Sequence, residues 1–184
     1  MIAIVLKFRR FGFLPEHKYM AGRHDFHRAI IGRSESLSFV DLGLRDIPAK
    51  TDTGAYRSAV HATNIHLDPA SGVLSFELLG NHPVCGAMSA HVETTEFRQV
   101  TVENSFGQVQ ERYEVRLKVK LGAKVFFARF TLADRSKKIY PILLGRKLLN
   151  HRFLVDSAAT TLDRVTLKQK YGIVFPDDEE AQDA

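Results

Sequence analysis

The sequence predicts an all-β protein, a closed barrel or sandwich carrying one long hairpin and one short helix. Three observations predict it. Short apolar stretches recur with turn residues between them, such as Asp68-Pro69-Ala70-Ser71-Gly72 and Gly80-Asn81-His82-Pro83, the pattern of many short strands. Residues 110–121 alternate cleanly, with Tyr113, Val115, Leu117, Val119 and Leu121 on one face and Glu114, Arg116, Lys118 and Lys120 on the other. A strand with one buried side requires that alternation. Asn104-Ser105-Phe106-Gly107 joins this stretch to residues 98–103 as the turn of a long hairpin.

In chain order, residues 1–28 read as a basic N-terminal extension, with six Lys/Arg against two Asp/Glu, expected to be partly disordered. Ile30-Ile31-Gly32 and Leu37-Ser38-Phe39-Val40 read as strands, and Leu42-Gly43-Leu44-Arg45-Asp46 as a turn. Residues 47–50 lead into a loop at Thr51-Asp52-Thr53-Gly54-Ala55, and 59–67 leave it as a strand. Residues 73–79, the hairpin arms, and 125–132 are further strands, and Tyr140-Pro141-Ile142-Leu143-Leu144 has a buried-strand pattern. Gly145-Arg146-Lys147-Leu148-Leu149 opens a short helix. Phe153-Leu154-Val155 is a last strand, and 165–171 is a helical turn or two. The domain therefore covers 29–160. A C-terminal segment, 161–184, ends in five acids without a base, expected to be disordered.

A chain of 184 residues suits one such domain, and 45% apolar with 26% charged residues is the balance of a soluble globular protein. The single cysteine, Cys85, excludes an internal disulfide and a multi-cysteine zinc site. No apolar run approaches the roughly 18 residues of a membrane span, and Ile2-Ala3-Ile4-Val5-Leu6 is too short for a signal peptide's core. The expected location is the cytoplasm, with no membrane partner. A net charge of +5 favours acidic partners.

The candidate site is the Asp52 loop. A carboxylate there occupies a place where a β protein buries aliphatic side chains, which costs several kcal/mol unless the charge is paired or hydrogen-bonded. Gly54 lets the backbone approach it, and Thr51 and Thr53 supply hydroxyls. By itself the tripeptide reads as an ordinary turn.

Followed some ninety residues later by Ile142-Leu143-Leu144-Gly145-Arg146-Lys147-Leu148-Leu149, Asp52-Thr53-Gly54-Ala55 resembles the retropepsin-like aspartic proteases. A closer resemblance is to a bacterial retropepsin-like group named for ATP-dependent zinc proteases. It is carried by Ser58-Ala59-Val60-His61-Ala62, Ser105-x-Gly107, Glu111-Arg112, Asp134-Arg135, Pro141 to Arg146, and Leu154-Val155-Asp156, across about residues 30–160. Some members of that group are linked to ATP-grasp ligases that append glutamate to proteins. The resemblance implies a retropepsin-like barrel, a flap over residues 97–113, and an aspartic peptidase trimming acidic, glutamate-rich peptides.

It further implies that Asp52, Thr53 and Gly54 are catalytic, that Ala55, Arg57, Ser105, Phe106 and Gly107 contact substrate, and that Arg146 supports the loop. Two carboxylates about 3 Å apart cannot both ionise, so such a dyad shares a proton. With one Asp-Thr-Gly per chain, a homodimer supplies Asp52 twice; Asp156 is the alternative second carboxylate. The residues do not match the group's name. They include no His-Glu-x-x-His helix and no Walker-type loop, and His61 and His66 point to opposite faces of a strand. No metal or cofactor is expected.

Viral retropepsins carry an acid just after the loop, where this chain has Tyr56-Arg57. Arg146 then needs another partner, and Arg57 either binds a substrate carboxylate or forms a surface ion pair. Cys85 reads as a buried small residue. The expected partner is a peptide or protein substrate, and nucleic acid is not expected. The competing reading is a non-catalytic β-barrel module binding acidic peptide, protein or RNA, with a zinc hydrolase a distant third.

Overall fold

The computed structural model describes residues 28–103 and 107–173. The extension before Arg28, the hairpin residues Ser105 and Phe106, and the acidic tail lie outside the described residues. Eleven strands are described: β1 (Ala29–Ile31), β2 (Ser34–Phe39), β3 (Leu44–Thr51), β4 (Ser58–Asp68), β5 (Val73–Leu78), β6 (Ala90–Thr94), β7 (Phe97–Glu103), β8 (Val109–Leu121), β9 (Lys124–Ala133), β10 (Ile142–Leu144) and β11 (Phe153–Val155). Two helices accompany them, α1 (Arg146–Leu149) and α2 (Arg164–Tyr171).

Six of the strands form a ring in the order β10, β3, β2, β8, β9, β4 and back to β10. β10 is the keystone. It runs parallel to β3, with Leu144 opposite Thr51, and antiparallel to β4, with Ile142 opposite Val60. Leu37, Phe39, Ile47, Val60, Val119, Leu121, Phe130, Ile142 and Leu144 fill the ring and are fully or almost fully buried. Phe39 and Phe130 meet edge to face at 5.8 Å. The alternation in 113–121 delivers its apolar face here.

β5 pairs the second half of β4 and β6 pairs β5, while β7 pairs β8 as the long hairpin. The first half of β4, residues 58–62, is buried throughout, so its pattern is continuous rather than alternating. A bulge between Thr63 and His66, with Asn64 at φ 51°, then turns the strand outward. His61 therefore lies inside and His66 outside.

Two elements differ from the sequence reading, and a third agrees with it. The turn before β3 is a 3-10 turn, Val40–Leu42, closed by Gly43 at φ 67°, and Leu44 already belongs to the strand. β6 was not anticipated, because Val92 is the only large apolar side chain in Ala90–Thr94. α2 forms the expected two turns, capped by Asp163, which accepts the Thr166 N–H at 2.8 Å. Leu167 packs it against Val84, Ile139 and Tyr140, so residues 161–173 are docked on the barrel. Cys85 is buried, which pushes its thiol up to about 12. Among the described residues, no helix is long and apolar enough to cross a membrane.

The ring closes where Gly145 follows β10. A Cβ there would lie 2.4 Å from the Arg57 carbonyl oxygen and 2.9 Å from the Ser58 nitrogen, while the Gly145 N–H donates to Ser58 Oγ at 3.0 Å. Backbone cannot yield as a side-chain tip can. Gly145→Ala should therefore lower stability by about 3 kcal/mol, an overpacking cost at the upper end of the usual range. A urea midpoint equal to wild type would refute that closure.

Candidate active site

The loop after β3 is fixed at both ends before the carboxylate is reached. Thr51 donates its N–H to Arg33 O and its hydroxyl to Gly32 O, each at 2.8 Å. The Asp52 N–H then donates to Leu144 O at 3.0 Å, so β10 holds the residue itself. Oδ1 of Asp52 accepts the N–H groups of Gly54 (2.9 Å) and Ala55 (3.1 Å). A Cβ on Gly54 would stand 3.2 Å from that oxygen, so glycine allows this close wrap. Asp52 is half-buried, and Thr53 and Gly54 are exposed.

The loop's carbonyls turn the other way, onto the start of α1. Arg146 donates from one guanidinium nitrogen to Thr53 O and Gly54 O, both at 2.9 Å. Its backbone N–H donates to Ala55 O (2.8 Å), and that of Lys147 to Tyr56 O (3.0 Å). Arg146 thus finds in backbone carbonyls the partner that the missing acid leaves open. The loop is polarised: its amides face the carboxylate and its carbonyls face a cation.

Arg57 does not stand free, and its partner is not a surface one. Its guanidinium donates to Glu114 Oε1 at 2.8 Å, and Glu114 is 1% exposed. Arg98, opposite Glu114 in the hairpin register, donates to Oε2 from Nε at 2.5 Å and also contacts it through a second nitrogen. The sequence placed Glu114 on the outward face of β8. The structure covers it, because two guanidiniums satisfy the charge where β7, β8 and the start of β4 meet. The available signal was a single acid among three bases on that face.

Beyond Ala133, two buried histidines hold one residue. His61 Nδ1 accepts the Arg135 N–H at 2.9 Å, and its Nε2 meets Gly80 O at 2.9 Å. His82 Nε2 lies between Arg135 O (3.1 Å) and Lys138 O (3.0 Å), and its Nδ1 accepts the Val84 N–H at 3.2 Å. The rings meet edge-on at 4.9 Å. Burial, then His61, pushes His82 down to about 4. The Arg135 side chain donates from Nε to Tyr140 O at 3.1 Å. Burial and neighbouring Arg112 pull it down to about 10, against the opposing pull of Asp52. Arg135 and His82 were not assigned to the site from sequence.

Among the described residues, no second carboxylate shares a hydrogen bond with Asp52, and no group of His, Cys, Asp or Glu could hold a metal ion. Asp156 is exposed and closes its own turn, accepting the Ala158 N–H at 2.9 Å. Gly107 is exposed at φ 75° in the hairpin connection, a conformation suited to glycine.

A closed barrel whose Asp-Thr-Gly loop rests on a Gly-Arg helix start defines the retropepsin-like class. A family model described as RimB-like, retropepsin-like aspartic endopeptidase RimB, matches residues 30–165, and the chain belongs to that family. A protein from Shewanella halifaxensis named "Probable alpha-L-glutamate ligase" is 30% identical over 80% of this chain and 33% of its own length. One of the same name from Parasynechococcus marenigrum is 35% identical over 70% of this chain and 28% of its own. The chain thus spans about a third of the curated relatives it matches. Among solved structures it is similar to Lpg0085 of Legionella pneumophila, described as of unknown function. That match has 30% identity and a TM-score of 0.57, covering 72% of this chain and 95% of that one.

Two measurements follow from the geometry. Glu114→Ala leaves Arg57 and Arg98 facing each other, and should cost about 3 kcal/mol in chemical denaturation; Arg98→Ala, at the more exposed end, should cost less. The second concerns acid. His82 is held neutral in the folded chain, so between its ordinary value of 6.5 and about 4 only the unfolded chain takes up the proton. The His82 contribution should be complete above pH 6.5 and fall by up to ~1.4 kcal/mol per unit below it; His91, held above its ordinary value by its hydrogen bond to Glu77, acts above 6.5 and with the opposite sign. The lowered carboxylates Asp68, Asp134 and Asp163 act below 3.8, outside that window. Thermal melts from pH 7 to 5 should show the fall in wild type and a flatter profile in His82→Gln.

Proposed function

We propose that the chain is an aspartic peptidase that hydrolyses peptide or amide bonds through a pair of Asp52 carboxylates from two copies of the chain, on acidic, glutamate-rich substrates. The observation that carries this reading is the asymmetry of the Asp52 carboxylate. Oδ1 is held by the Gly54 and Ala55 amides, while no hydrogen bond among the described residues reaches Oδ2. One oxygen is used for orientation and the other is left for chemistry.

In the proposed reaction, the ionised Asp52 of one copy takes a proton from water as its oxygen attacks the amide carbonyl carbon. The protonated Asp52 of the other copy donates to the carbonyl oxygen, giving a tetrahedral diol. Collapse of the diol breaks the C–N bond as a proton passes to the leaving nitrogen, and the pair again shares one proton. Two-fold pairing is supported by an apolar patch on the small sheet of β1 and β11. There Ile30 and Leu154 stand in register, 71% and 49% exposed. The acidic substrate is supported by the net charge of +5 and by relatives named for a glutamate ligase.

Purified protein should cleave a glutamate-rich peptide, and Asp52→Asn should lower kcat by about 100-fold or more, the scale of a lost general acid–base group. Solution mass measured on the active species should be that of a dimer. Unchanged activity in Asp52→Asn would refute the mechanism, and an active monomer would refute the shared pair.

A further inference from the structure

Five arginines gather around the Asp52 loop and the hairpin beside it, and the structure treats them differently. Arg57 and Arg98 are neutralised on the buried Glu114, and Arg146 is taken up by loop carbonyls. Arg135 and its neighbour Arg112 have no such acid. Among the described residues, neither has a carboxylate at ion-pair distance. Arg112 donates from Nε and one terminal nitrogen to Gln110 Oε1, at 3.3 and 2.7 Å, and Arg135 only from Nε to Tyr140 O.

Topology brings the two together. Arg112 lies two residues before Glu114, whose partner in β9 is Thr131, so it stands level with the end of β9 at Ala133. Arg135 follows two residues later, and both side chains are half-buried. Their charges act on each other, and Arg135 also feels Asp52. Two like charges drawn into a partly desolvated place oppose folding unless something holds them there. Here His61 and His82, 0% and 1% exposed, use ring nitrogens on the backbone N–H and carbonyl of Arg135. A surface arginine needs no such clamp. The arrangement fixes where one guanidinium points.

We infer that Arg135, placed by His61 and His82, and Arg112, carried on the hairpin, form a carboxylate-binding subsite beside Asp52 that selects an acidic side chain of the peptide. This rests on the peptidase reading above and names its source of specificity. The chemistry is that of guanidiniums, which offer paired N–H donors matched to a planar carboxylate. It also gives the hairpin a part in recognition. Arg112 lies on the hairpin part of β8, whereas Arg135 is tied to the barrel, so a bound carboxylate would bridge the two.

The test separates binding from cleavage. Asp52→Asn protein is titrated with two labelled peptides, one containing glutamate and its counterpart containing glutamine at every such position. The glutamate peptide should bind at least tenfold tighter, the scale of a hydrogen bond to a charged group. Adding Arg135→Gln or, separately, Arg112→Gln should remove most of that difference, and Arg135→Lys should restore part of it. Far-UV spectra and melts identify any variant that fails to fold, and Arg112, on the hairpin, keeps the test valid if Arg135→Gln is one. Equal affinity for the two peptides, or a difference unmoved by Arg112→Gln and by a folded Arg135→Gln, would overturn the subsite. A short single-stranded RNA that displaces the peptide equally well would also overturn it. Peptide cleavage by wild-type protein is assayed alongside: if binding discriminates but no Asp52-dependent cleavage occurs, the peptidase reading fails and the subsite stands.

Discussion

The structure depends on the contact between Gly145 and the backbone of Arg57 and Ser58. Only a residue without a side chain lets the chain leaving β10 press so closely on the start of β4. That closeness sets β10 between β3 and β4, closes the barrel, and aims the Leu144 carbonyl at the Asp52 N–H. It also starts α1 where Arg146 can reach the loop carbonyls. Barrel closure and carboxylate orientation are consequences of one steric fact, so neither can drift without the other.

Around that junction the charges follow a division of labour. Glu114 is buried because two guanidiniums answer it, and it joins the hairpin to the barrel beside the loop. Asp52 is answered by amides rather than by a bonded cation, with Arg135 as its electrostatic neighbour. The two carboxylates differ in what they leave open: Glu114 has both oxygens bound, and Asp52 has one.

Much of the frame was legible because local signals and global need agree. The alternation in 113–121, the paired hairpin arms and the Asp-Thr-Gly-Ala to Gly-Arg spacing each correspond to an element in place. What was not legible depends on pairing across the fold. Glu114 reads as solvent-facing until register sets Arg98 opposite it and the chain's fold brings Arg57 to it. His61 and His82 read as isolated histidines, since nothing local says that both serve Arg135, more than fifty residues from either. β6 carries one large apolar residue, Val92, because the edge of a sheet needs few. The two turns of α2 were legible, but not its docking, which depends on Leu167 meeting Val84, Ile139 and Tyr140 across the fold.

The Arg98–Glu114–Arg57 junction also determines the mechanics of the hairpin. Below that rung, β7 and β8 are bolted to the barrel by a doubly bonded, dehydrated carboxylate. Above it, five rungs continue from Gln99 and Tyr113 to Glu103 and Val109, a lever of roughly 17 Å at strand rise. Any bending must pivot at the first of these rungs, with Arg112 one rung above the pivot and Gly107 beyond the far end. The hairpin therefore has its firmest point at its root, where Glu114 ties both strands to Arg57.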